Sequence, residues 1–163
     1  MKTNAFFLTV LLVLSACKPQ PPQPPEPPQG MAPHDHMAMM RGDSANRDGV
    51  FIHISEGYND PHRVLMPLKM ATMMAMDKDV LVYMDIKAVE LAVKGAKDMK
   101  YADFESFQTY IKKLADMKVG VYACPTCLKI AGYKPEDLMD GIQVAQKDKF
   151  FDFTKGRIIT LDY

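Results

Sequence analysis

The sequence predicts an α/β domain over residues 49–163, built as a small doubly wound, mainly parallel sheet of about five strands. Two observations carry that expectation. Short runs of β-branched and apolar residues alternate with segments of helical periodicity, the pattern of strand–helix–strand units whose strands are buried on both faces. The first 48 residues lack globular composition, which leaves about 115 residues of the 163 for one core, close to the commonest domain size. No Gly-x-Gly-x-x-Gly and no phosphate-binding loop accompany the pattern, so the fold comes without a nucleotide fingerprint. The formal net charge is zero and no basic patch stands out, which sets nucleic-acid binding aside.

Residues 1–16 read as an export signal. Lys2 supplies a positive start, and Ala5 to Leu14 form an apolar run too short to span a bilayer as a permanent helix. The run ends in Leu14-Ser15-Ala16-Cys17, which resembles the bacterial lipobox. That resemblance implies that Cys17 becomes the mature N-terminus and carries the acyl chains that anchor it stably in a membrane. Lys18 leans towards the outer membrane, with the domain facing the periplasm of a bacterial cell envelope. Residues 17–48 then form the lipidated start and a linker. The Pro residues between Pro19 and Pro33 favour polyproline II, a stalk of roughly 30 Å at about 3.1 Å per residue.

Within the linker, His34, His36, Met37, Met39 and Met40 fall in one short tract with Met31 and Asp35. Thioethers select Cu(I), and His-x-His suits Cu(II), Zn(II) or Ni(II), so copper is the first metal this tract would hold. Biased composition in a tail is the competing account. No other cofactor is called for.

The domain opens with Val50 to Ser55, a continuous apolar run and hence a buried strand; His53 within it reads as a packed or hydrogen-bonded strand residue rather than a ligand. Asp60-Pro61 reads as N-cap and first helical residue of a helix to about Met76, which Pro67 would bend near its start. Met66, Met70, Met73 and Met74 recur at helical spacing, so this stripe is expected in the core or at a subunit interface, with a copper-binding face as the alternative. His62, at the helix start, is a site candidate because open α/β sheets place their sites beyond the strand ends. Asp79 to Met84 is a second buried strand, and Ile86 to Val93 a short helix stopped by Gly95. Phe104, Phe107, Tyr110, Ile111 and Leu114 give a helix from Asp103 to Met117, capped by Asp103. Val119 to Ala123 is the third strand. Past it come a helical turn at Pro135 to Met139, a short strand at Ile142 to Ala145, a turn at Lys149 to Thr154 and a closing strand at Arg157 to Leu161.

The chemistry concentrates in Cys124-Pro125-Thr126-Cys127, a Cys-x-x-Cys turn between the third strand and a helix that ends near Gly132. A cysteine at a helix start meets unpaired backbone N–H groups, which favour its thiolate, the form that attacks sulfur and binds metal. A disulfide that merely staples the helix start is the structural alternative in an oxidising compartment.

From Gly49 onward the chain resembles the DsrE/DsrF-like family of sulfur-relay proteins. The likeness lies in Asp60-Pro61-His62-Arg63, in Val121 to Cys127, in Ala131-Gly132 and in Pro135 to Leu138. The resemblance implies that Cys124 occupies the place of the sulfur-accepting cysteine, with Gly132 about two turns later, and that the protein is a homo-oligomer. This chain departs from the best-understood members, which are cytoplasmic, in its export signal. Three mechanisms follow. Cys124 and Cys127 could carry and resolve a persulfide as a relay; they could exchange thiols and disulfides; or, with the His/Met tract, they could bind or deliver copper. The sulfur donor and acceptor stay open, as does whether the protein is an enzyme.

Overall fold

The computed structural model describes residues 47–150 and 152–163. The expectations for the export signal, Cys17, the Pro-rich linker and the Met/His tract fall on residues 1–46 and lie outside the described residues. Strands β1 (Gly49–Ile54), β2 (Asp79–Met84), β3 (Gly120–Ala123), β4 (Ile142–Val144) and β5 (Ile158–Asp162) form one sheet in the order β4-β3-β2-β1-β5. Every pairing is parallel. The helices are α1 (Pro61–Met74), α2 (Phe107–Asp116) and α3 (Pro125–Ile130), with 3-10 turns at Ala88–Glu90, Pro135–Asp137 and Lys147–Phe150.

The strand order dictates the layers. Connections β1–β2, β2–β3 and β3–β4 all step one way across the sheet, and right-handed crossovers therefore put their helices on one face. That face carries the core: Val50, Ile52 and Ile54, then Val80, Val82 and Met84, then Val121 and Ala123, beneath Val64, Leu65, Leu68, Phe107, Ile111, Leu114 and Leu128. The last connection returns from one edge of the sheet to the other and crosses the opposite face. The sheet is doubly wound, as expected, but among the described residues its second layer is this segment with one 3-10 turn in place of a layer of helices. Phe150 packs on Phe51 and Tyr83, with ring centroids 5.7 and 4.9 Å apart. Gly49 lets the segment come close, because a Cβ there would lie 2.8 Å from the Phe153 ring.

Several local expectations shift. Helix α1 begins as expected: the Asp60 carboxylate accepts the Arg63 N–H at 3.1 Å, and the helix continues through a buried Pro67. Its core stripe, however, is Val64, Leu65, Leu68 and Ala71. The methionines flank it, with Met66, Met70 and Met74 half-buried and Met73 exposed. Leucine and valine fill the regular space against a flat sheet, which leaves the longer thioethers to the margin. Asp103 does not cap α2. The backbone turns over at Ala102, which has φ +46°, and the Ser106 hydroxyl accepts the Thr109 N–H at 3.4 Å instead. Phe104 therefore lies before the helix, against His62. The helix expected over Ile86 to Val93 is a 3-10 turn at Ala88–Glu90. Among the described residues, no helix is long and apolar enough to cross a membrane.

Two substitutions test these assignments by urea or thermal unfolding. Ser106→Ala is expected to cost about 1 kcal/mol as a lost cap, while Asp103→Ala is expected to be close to neutral. Leu68→Ala, at a fully buried position, is expected to cost about 2–5 kcal/mol.

Candidate functional site

Cys124 belongs to strand and helix at once. Its N–H still donates to the Met84 carbonyl at 2.9 Å, continuing the ladder of β2 and β3. Its carbonyl accepts the Leu128 N–H at 3.0 Å, the first bond of α3, and its sulfur accepts the Cys127 N–H at 3.4 Å. Cys124 is thus the N-cap of α3, with a sulfur where a hydroxyl or carboxylate usually stands, and Pro125 at the first helical position has no N–H of its own to leave unpaired. Because α3 has only six residues, the local N–H groups matter more than the macrodipole. Both cysteines are free thiols and half-buried. They are brought together at the carboxyl end of the sheet, as the sequence predicts.

The structure adds a residue that sequence reasoning passed over. Tyr83, the penultimate residue of β2, is stacked on His53 at 5.6 Å and met edge-on by Phe150. Its hydroxyl lies near the Cys124 sulfur and favours the thiolate there. Burial pushes the Tyr83 phenol well up, and the neighbouring sulfur pushes it further, so it stays a donor. Burial also pushes the Cys124 thiol up. Tyr83 and the Cys127 backbone and thiol outweigh that, and the net shift is downwards. Cys127 goes the other way. Burial raises it, an N–H from Ile86 opposes this, and the nearby Cys124 and Asp85 add to the rise. The pair therefore divides into a thiolate-prone Cys124 and a proton-retaining Cys127.

The Ile86 N–H reaches Cys127 through an unusual backbone. Ile86 has φ +45°, rare for a β-branched residue, and its side chain is 61% exposed. The turn is pinned to the end of β1, with Asp85 N–H on the Ile54 carbonyl at 3.1 Å and Lys87 N–H on the Ser55 carbonyl at 3.2 Å.

His53, expected as a packed or hydrogen-bonded strand residue, is held between two carboxylates. Its Nδ1 meets Asp162 of β5, and its Nε2 lies 2.9 Å from Asp85 Oδ1. Burial alone would lower its pKa, but the two carboxylates prevail and raise it. The sequence signal for Tyr83 and His53 is their shared penultimate position in neighbouring strands, which puts both on one face. His62 is not in this cluster; it is exposed and its ring packs on Tyr101 and Phe104. Among the described residues, no group of three or more His, Cys, Asp or Glu side chains is arranged to hold a metal ion. An open groove of about 530 Å³, lined by Arg47, Lys78, Leu81, Lys118, Tyr122 and Phe153, lies at the opposite, amino-terminal pole and excludes the cysteines.

Removing the phenol should be felt at Cys124. Tyr83→Phe is expected to move its thiolate titration to higher pH, read from alkylation rate against pH, without unfolding the domain. His53 should make stability depend on pH. Its folded-state pKa lies above the ordinary value of about 6.5, so its contribution is whole below that value and is lost as pH rises through the folded one. His53→Gln is expected to flatten that fall in the urea midpoint as pH rises above about 6.5.

Comparison with solved structures finds the ychN protein from E. coli, with TM-score 0.55 and 17% identity over 70% of this chain and 99% of that one. It also finds MTH1491, a protein of unknown function from Methanobacterium thermoautotrophicum, with TM-score 0.52 and 19% identity over 69% and 98%. At such identity they share its fold. No curated protein matches the chain. The model of the DsrE/DsrF-like family matches residues 48–160, over two-thirds of the chain and the whole sheet up to the last strand, and this chain belongs to that family.

Proposed function

We propose that this protein carries sulfane sulfur on Cys124 and releases it with Cys127, as a lipid-anchored, homo-oligomeric protein of the bacterial envelope that faces the periplasm. The observation that carries this reading is the unequal thiol pair: one sulfur caps a helix under a tyrosine hydroxyl, and the other, one turn on, keeps its proton. Membership of a sulfur-relay-type family and the lipobox at Leu14 to Cys17 support the rest.

The chemistry balances in two steps. The Cys124 thiolate attacks the outer sulfur of a donor persulfide; a new S–S bond forms, the donor's S–S bond breaks, and the donor leaves as thiolate with the electron pair. Cys127 then attacks the inner sulfur of the Cys124 persulfide. The Cys124–Cys127 disulfide forms and hydrosulfide leaves, so the sulfane sulfur is reduced as the two thiols are oxidised. A second dithiol must reduce the disulfide before the next cycle. Direct handover from Cys124 to an acceptor thiol omits this second step.

The test is intact mass of the reduced protein after exposure to polysulfide. A gain of one or more sulfur atoms that disappears in Cys124→Ala and persists longer in Cys127→Ala is expected. No adduct, with both thiols only closing to a disulfide, would overturn the carrier and leave thiol–disulfide exchange. Cu(I) titration with and without residues 31–40 would then decide on copper delivery.

A further inference from the structure

The sulfur chemistry above makes no use of the methionines of α1. That helix turns Val64, Leu65, Leu68 and Ala71 to the core. At about 100° per residue, Met66, Met70 and Met73 fall within roughly 60° of arc on the opposite side. Met66 and Met70 are half-buried, and Met73 is 57% exposed. The outward side of a surface helix normally carries charged and polar residues. Helix α2, in the same layer, follows that rule and turns Gln108, Lys112, Lys113 and Asp116 to solvent. The core is filled from the other side of α1, so packing against the sheet does not call for the methionine row.

The surroundings narrow what the row can hold. Residues three and four apart on a helix have Cβ atoms about 5–6 Å apart, and the flexible thioethers of Met66 and Met73 can close on a point above Met70. Helix α1 contains no Asp or Glu, so a hard cation finds no carboxylate on it. Its own cations stand aside. Arg63 Nε lies 3.6 Å from Asp60, and Lys69 Nζ sits over the Phe104 ring, 5.6 Å from its centre. The His62 ring packs on Tyr101 and Phe104. What remains is a set of neutral, polarizable sulfurs on one rigid element, and thioethers select soft ions.

We propose that Met66, Met70 and Met73 bind one Cu(I) ion on the outer side of α1. Each sulfur gives a lone pair, no proton is released, and the copper stays monovalent. The site uses neither thiol of the Cys-x-x-Cys turn, so it stands or falls apart from the sulfur-carrier function. It is separate from the tract at residues 34–40 as well, because its ligands are spaced by one helix of the folded domain.

The test uses the full chain carrying Cys17→Ser, Cys124→Ser and Cys127→Ser, so that no thiolate competes, with its methionine methyl groups labelled for NMR. The probe is Ag(I), which shares the charge and closed d shell of Cu(I) and is stable in air. The methyl signals of Met66, Met70 and Met73 are expected to shift together along one binding curve, while those of the buried Met84 and Met99 stay still. Thioethers carry no proton, so the affinity is expected to be the same at about pH 5.5 and about pH 8. Zn(II) is expected to leave the three signals unmoved. Met70→Leu, which keeps side-chain volume and helix propensity, is expected to weaken Ag(I) binding at Met66 and Met73 by about tenfold or more. Shifts confined to Met31, Met37, Met39 and Met40 would overturn the proposal. So would three α1 signals that move at different Ag(I) concentrations, or a Met70→Leu protein that binds as before, since each would make the methionines independent side chains rather than one site.

Discussion

The register of β2 between β1 and β3 is the constraint on which the thiol end depends. Tyr83 pairs with His53 on one side and with Tyr122 on the other, and Met84 with Ile54 and Ala123. The next two residues are Asp85, which meets His53, and Ile86, whose N–H acts on Cys127, while Cys124 takes the Met84 carbonyl. A slip of one residue would turn every side chain of β2 over. It would bury Tyr83 under the helices and aim Val82 at the sulfur. The slip is prevented by the core face itself, where Val80, Val82 and Met84 are all buried. The packing that stabilises the domain is therefore the same packing that sets the chemistry.

The strands, α1, the Cys-x-x-Cys turn and the family were legible because each rests on local pattern: apolar runs, an Asp-Pro start, a motif with fixed spacing. What was not legible needs strand order. Nothing within Val50 to Ser55 says that His53 will meet Asp162, 109 residues away in sequence, on a neighbouring strand. Tyr83 likewise reads as one more β-forming aromatic until the pairing shows it beside Cys124. The core stripe of α1 and the cap of α2 were hard to read for a different reason. The methionine stripe and the stripe of Val64, Leu65, Leu68 and Ala71 have the same period, and periodicity alone does not say which one faces the sheet. Asp103 and Ser106 are both good caps, and the choice fell to the one whose following residue, Phe107, is buried.

The helix-bearing face and the bare face divide the labour. The first holds most of the core. Among the described residues the second has no α-helix over it, only Phe150, Phe153 and their neighbours, and its residues Phe51, Tyr83 and Tyr122 remain partly exposed. Thr154 fastens this segment to the Arg47 carbonyl at 2.5 Å, and Arg157 fastens it to Asp48 at 2.7 Å. Because Phe150 leans on Tyr83, the aromatic cover reaches the ring whose hydroxyl favours the Cys124 thiolate.

The point where the chain enters the domain bears on how the site would meet its partners. Arg47 and Asp48 precede β1 at one pole, and the six-residue strand carries the chain about 20 Å to the other, where the cysteines lie. A tether acting through the preceding residues pulls on the pole remote from the sulfur. With lipid on Cys17, the thiols would point outward into the aqueous compartment while the body of the domain stood between them and the bilayer. On the proposed anchoring, encounter would then be governed by diffusion of soluble donors and acceptors, not by lateral motion within the membrane plane.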